Sequence, residues 1–324
     1  EFNPVWALPI FVSFIVFLVF YLHQVGFSMK WPVYYWMWLT GIIFFIFTFI
    51  ENYLWIFPYF RQHFIADMTI QWKVNGSLVG AINQIIYGVA FYLMEKISGD
   101  EKSSYQKLSF AMYFLGMFNL MFNWGHHIYL LPTEKYIHYI AYAVSMTEWI
   151  ILIRIFYKWS QQIKENKQFY YFFPYRFLMA SDYWVTINLT LALFMSIPAI
   201  NLYTHATHIT VAQAMGTTIG INTMIILAGV FYFIKPTFNS AKWRLYGNIT
   251  FWIVQVTLLL FLISLIGMGV QRAIWQAGLT SESFSKMSSS SGNWVLAFII
   301  LGTILMFSMA SFFIYLLIQS YKKN

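Results

Sequence analysis

The sequence predicts an all-α, polytopic transmembrane bundle of about nine visible helices. Only 9% of its 324 residues are charged and 60% are hydrophobic, whereas a soluble domain carries about 25% charged residues. Mean hydropathy is +0.63. The apolar runs also exceed the roughly 20 residues that carry a helix across hydrocarbon, about twice the length of a barrel strand.

The elements follow from these runs and the residues that interrupt them. Helices are expected near 4–24, 32–57, 68–97, 105–130, 137–163, 170–197, 207–235, 241–276 and 293–321. The first run starts at Pro4 and is too long for a signal-peptide core of about 7–15 residues. The second is set off by Trp31-Pro32 and closes near Pro58. Gly99-Asp100-Glu101 ends the third, Pro132-Thr133 the fourth, Pro198 the sixth and Pro236 the seventh, while Pro174 marks the start of the sixth. Proline lacks the amide hydrogen that a helix interior needs, and glycine favours its end. Residues 277–292, with Ser288-Ser289-Ser290-Ser291-Gly292, make a polar serine-rich loop before the last helix. No soluble domain or internal repeat is visible, so a single transmembrane domain over 1–324 is expected.

Lysine and arginine crowd the loops after the first, third, fifth, seventh and ninth helices, among them Lys30, Lys102, Lys164, Lys167, Lys242 and Arg244. The opposite loops hold Arg61, Lys135, Arg272 and Lys286. That asymmetry predicts a multi-pass protein of a bacterial-type inner membrane, with a cytoplasmic C-terminus. The net charge of +8 is therefore an orientation signal, and no nucleic-acid partner is expected. Tyr34-Tyr35-Trp36 and Phe169-Tyr170-Tyr171 suit interfacial belts. With no cysteine, disulfides and thiolate-held metals are excluded within this sequence.

Against this apolar background, adjacent histidines stand out in Asn123-Trp124-Gly125-His126-His127-Ile128-Tyr129. Ionisable side chains at membrane depth are costly and mark functional sites, and imidazole is the commonest metal-binding side chain. A helical rise of about 1.5 Å per residue puts the pair roughly 6–8 Å below the outer loop 131–136, and Glu148 roughly 17 Å below it. Asn75 and Gln213 lie at similar outer depths on other helices. Consecutive helical residues point about 100° apart, so joint metal binding requires the helix end to distort. The pair reads either as a metal site or as side chains bonded to backbone and neighbouring helices. Glu148 reads as a proton-path carboxylate or a buried neutral acid. His205 and His208 read as outer-surface or capping groups, and Lys73 as a snorkelling cation.

Residues 67–275 resemble the catalytic (large) subunit of respiratory nitric oxide reductases, in the haem–copper oxidase superfamily. Gly125-His126-His127-Ile128-Tyr129 is similar to that family's Gly-His-His-Tyr, and Glu148 follows at the spacing of its motif glutamate. Tyr203-Thr204-His205-Ala206-Thr207 resembles the Tyr-Thr-His-Gly-Thr stretch before the haem-binding helix. Gly269-Val270-Gln271-Arg272 matches a late pattern. The resemblance implies that this chain corresponds to the last nine helices of a twelve-helix subunit I, with three spans belonging before residue 1.

The resemblance also implies ligands that this sequence replaces. Gln213 and Met215 occupy the places of a His-x-His that serves two haems, and Asn75 and Val79 those of a third metal histidine and a glutamate. Glutamine is a poor haem-iron ligand, whereas methionine can serve. The expected reading is a haem-deficient pseudoenzyme with a structural or assembly role among other subunits of a respiratory membrane complex. A working nitric oxide or oxygen reductase is the alternative. It would hold a non-haem iron or copper at His126, His127 and Asn75, take haem b through Met215, and use Glu148 for protons. A proton or ion conduit is the third reading. A cytochrome c-type subunit is a partner by resemblance alone.

Overall fold

The computed structural model describes residues 3–145, 149–234 and 241–321. Its long elements are α1 (Pro4–Val25), α2 (Val33–Asn52), α3 (Phe64–Ser98), α4 (Lys107–Phe122), α5 (Lys135–Ser145), α6 (Trp149–Gln162), α7 (Phe172–Ser196), α8 (His208–Met215), α9 (Met224–Ile234), α10 (Ala241–Gln276) and α11 (Gly292–Tyr321). Among the described residues no strand occurs, and seven helical segments are long and apolar enough to cross a membrane. In lipid every backbone polar group must be satisfied internally, which a helix does within its own segment.

The expected spans 105–130 and 207–235 are not unbroken α-helices. The segment 105–130 is α4 followed by a 3₁₀ stretch, Asn123–Ile128. The segment 137–163 comprises α5 and α6, with 146–148 outside the described residues. Between α8 and α9 the backbone forms a π-helix, Gly216–Thr223. Wide turns of this kind are rare and concentrate at functional sites.

The chain forms two compact units, residues 1–167 with 196–198, and residues 168–195 with 199–324. In the first, α2 packs along α3, and glycine permits the approach. A Cβ on Gly41 would stand 2.8 Å from the Ala81 carbonyl oxygen, and one on Gly88 would stand 2.6 Å from Trp38 Nε1. The Trp38 indole donates to the Ile85 carbonyl at 3.1 Å, and the Trp159 indole to that of Met94 at 3.0 Å. Each of these two indoles thus brings its own polar atom to a backbone acceptor.

In the second unit, α10 packs along both α8 and α11. Phe177 is fully buried, with its ring 5.4 Å from both Phe231 and Phe312. Gly269 lies against the start of α8, where a Cβ would meet the Ile209 backbone nitrogen at 2.6 Å. That close approach explains glycine at the head of the Gly269-Val270-Gln271-Arg272 motif. Thr207 caps α8, its hydroxyl accepting from the Ile209 amide at 3.2 Å, as hydroxyl N-caps do.

Candidate functional site

The histidine pair lies on the 3₁₀ stretch Asn123–Ile128 of the first unit. Gly125 allows this stretch to press onto α5, since a Cβ there would stand 3.0 Å from the Ile137 carbonyl oxygen. The distortion needed to bring consecutive histidines together is therefore present. Their ring centres are 4.2 Å apart with planes tilted by 35°. Two imidazoles on one tetrahedral ion, at metal–nitrogen distances of about 2.0–2.1 Å, would have ring centres roughly 5 Å apart. The observed pose is closer to stacking than to convergence on an ion.

Each ring is engaged by its surroundings. His126 Nδ1 lies 2.9 Å from Asn123 Oδ1. The His127 ring is nearly parallel to that of Trp72, at 6.3 Å. Gly76, one turn beyond Trp72, faces the same imidazole, with 2.9 Å between its notional Cβ and His127 Cδ2. Trp72 and Gly76 thus form the face of α3 against His127, while Asn75 is exposed. Asn75 is not on the side that meets the pair. Among the described residues no group of three or more His, Asp or Glu side chains is placed to hold a metal ion. Glu148 lies outside the described residues.

Gln213 and Met215 lie near the end of α8 in the second unit, both half-buried. The Gln213 amide is 3.5 Å from Thr217 Oγ1, and that hydroxyl donates to the Gln213 carbonyl at 3.2 Å. Asn188 of α7, itself buried, donates to Thr217 Oγ1 at 2.7 Å. Gly216 admits this asparagine, because a Cβ would fall 2.2 Å from Asn188 Oδ1. Position 213 therefore carries an amide within a side-chain polar network at the entrance to the π-helix. A haem pair of the kind the family resemblance implies needs imidazoles at 213 and 215. An amide and a thioether do not fit that pair, although a thioether alone is a known axial ligand.

Several polar groups escape a reading by sequence spacing. Lys73 does not snorkel: its ammonium is paired with Glu51 of α2 and lies 5.4 Å from the Phe47 ring centre. A lysine inside a span gains more from a carboxylate within reach than from stretching to water. Glu51, near the end of an apolar run, was the available signal. Tyr34 donates to Glu95 Oε1 at 3.3 Å, and Lys96 donates to the same oxygen at 3.0 Å. Glu95 Oε2 is buried with no hydrogen-bond partner among the described residues. His205 is buried rather than an outer-surface group, while His208 is exposed. Burial holds the His205 pKa below the ordinary imidazole value.

A long-helix membrane architecture, paired histidines on a distorted helix end and a π-interrupted helix define a multi-pass protein resembling haem–copper oxidase subunit I. The family model described as Cytochrome C and Quinol oxidase polypeptide I matches residues 3–305, and the chain belongs to that family. No curated protein matches the chain.

Proposed function

We propose that this chain is a haem-deficient, catalytically degenerate relative of the nitric oxide reductase large subunit. It serves a structural or assembly role beside other subunits of a respiratory membrane complex. One observation carries the reading: at the haem-helix positions stand Gln213 and Met215, and the Gln213 amide is engaged with Thr217. Without an imidazole there, an active-site haem has no axial ligand of the usual kind. Electrons then have no second redox centre beside a metal at the histidine pair. The frame of the family is kept, and its chemistry is lost. The basic loops orient the chain with its C-terminus in the cytoplasm of a bacterial-type inner membrane. Deleting the chain is expected to lower the amount of an intact respiratory complex on native gels. A complex assembled at its normal level, with reductase turnover lost, would overturn the structural role.

A second reading rests on the 3₁₀ stretch that brings His126 and His127 to 4.2 Å. In it the pair retains a non-haem iron or copper in a working nitric oxide or oxygen reductase. The variant His126→Ala separates the two readings. Lost bound metal together with lost turnover supports the reductase, and unchanged metal content and turnover remove it.

A further inference from the structure

The second unit holds two guanidinium groups at the same end of neighbouring helices. Arg176 lies in the first two turns of α7, and Arg244 opens the span Arg244–Gln276 of α10. Arg176 Cζ is 4.9 Å from the Phe172 ring centre, 5.1 Å from Phe251 and 5.7 Å from Trp252. Arg244 Cζ is 4.0 Å from Phe169 and 4.8 Å from Phe172. One phenyl ring is thus shared by both cations. Arg176 donates to the Asn248 side-chain oxygen, and Arg244 to the Phe169 carbonyl at 3.3 Å. The Arg244 Nε–H is buried and has no acceptor among the described residues.

Among the described residues neither arginine is paired with a carboxylate. The ion pairs among the described residues belong to Lys73, Lys96 and Lys286. Guanidinium stays charged at every accessible pH and presents five donors in a rigid fork. Cation–π contact offsets part of the cost of burying the charge but does not itself answer the N–H donors. An anion with several oxygen acceptors complements these donors, and a phosphate group presents them in the geometry the fork favours. Arg244 stands at the first residue of its span, and Arg176 is about 6 Å into its own, the level of lipid headgroups. Phe169, Leu245, Tyr246 and Trp252 are exposed around them, an apolar rim suited to acyl chains.

We propose that Arg176 and Arg244, set on Phe172 and flanked by Asn248, bind the phosphate of an anionic glycerophospholipid. The site lies within the second unit and does not depend on whether the chain binds haem. Basic pockets between membrane helices are recognised sites for such headgroups.

The test uses the full chain, delipidated in detergent. Its thermal midpoint is followed with added phosphatidylglycerol, phosphatidylcholine or inorganic phosphate. Phosphatidylglycerol is expected to raise the midpoint by several degrees, with the other two nearly inert. Arg176→Gln/Arg244→Gln should lose that increment, while Arg154→Gln, which removes an exposed arginine of the first unit, should keep it. Equal increments in wild type and double variant, or phosphatidylcholine as effective as phosphatidylglycerol, overturn the site. Inorganic phosphate as effective as phosphatidylglycerol assigns the arginines to free anions and overturns the lipid. Should the double variant not fold, native mass spectrometry of wild type against Arg244→Gln decides. A severalfold loss of retained phosphatidylglycerol supports the site, and equal retention overturns it.

Discussion

The imidazole of His127 rests against the backbone of Gly76, so closely that a Cβ on Gly76 would stand 2.9 Å from His127 Cδ2 and 3.2 Å from Nε2. The histidine is therefore a packing partner of α3, whatever else it does. Gly76→Ala forces either ring or helix to move and is expected to destabilise the protein by about 1–3 kcal/mol, the usual cost of overpacking. His127→Ala in the same chain should recover part of the loss, because contacting residues are coupled. Thermal midpoints of the two single variants and the double variant check this. An unchanged Gly76→Ala midpoint would count against the contact.

Glu51 and Lys73 join α2 to α3 inside the membrane-spanning region, with side chains 19% and 24% exposed. Removing one partner of a buried pair leaves an uncompensated charge, at a cost of about 3–5 kcal/mol that falls to about 1–3 with this much exposure. Lys73→Met is thus expected to lower stability, and Lys73→Met/Glu51→Gln to restore most of it. Denaturation of both variants in detergent decides. A double variant no better than the single would show that the pair is not the origin of the loss.

Ala206 adopts φ 56° in the turn before α8, a left-handed conformation that costs an L-residue roughly 1–2 kcal/mol. Glycine stands at this place in the stretch that Tyr203–Thr207 resembles. Ala206→Gly removes the clash but gives the unfolded chain about 0.4–1 kcal/mol more entropy to lose. The net expectation is a small stabilisation, about 0.5–1 kcal/mol by these two terms. A lowered thermal midpoint would contradict it.

His205 gives the fold a pH dependence of defined sign. Its folded pKa lies below the ordinary value because burial disfavours the imidazolium. Below an unfolded pKa of about 6.5, the unfolded state takes up the proton more readily, so stability falls as pH drops. The stability is fully present above that value and is lost on acidification toward the folded pKa. His205→Gln should flatten the slope of stability between about pH 7 and pH 5. An unaltered slope would assign the acid sensitivity to other groups.

Helix positions are legible in this sequence because a backbone in lipid must close its own hydrogen bonds, so run length and proline punctuation mark the ends. The break at Asn123–Ile128 is not, because it depends on how closely Gly125 meets Ile137 of the next helix. Depth could be counted from the helical rise, and it put Asn75 level with the histidines. Which face of α3 meets them is a matter of rotation, and Trp72 and Gly76 hold that face. Lys73 finds Glu51 twenty-two residues away on another helix, a pairing that no local spacing announces. His205 reads as an outer-surface or capping group from its place at a helix start, and only tertiary packing buries it.

Haem content is the most direct measurement. The full chain, purified with whatever subunits accompany it, is examined by pyridine haemochrome spectrum and elemental analysis, and each signal is assigned to a polypeptide. With glutamine at 213 and methionine at 215, haem b is expected far below one per chain. A stoichiometric haem b bound by this polypeptide would contradict the haem-deficient reading outright.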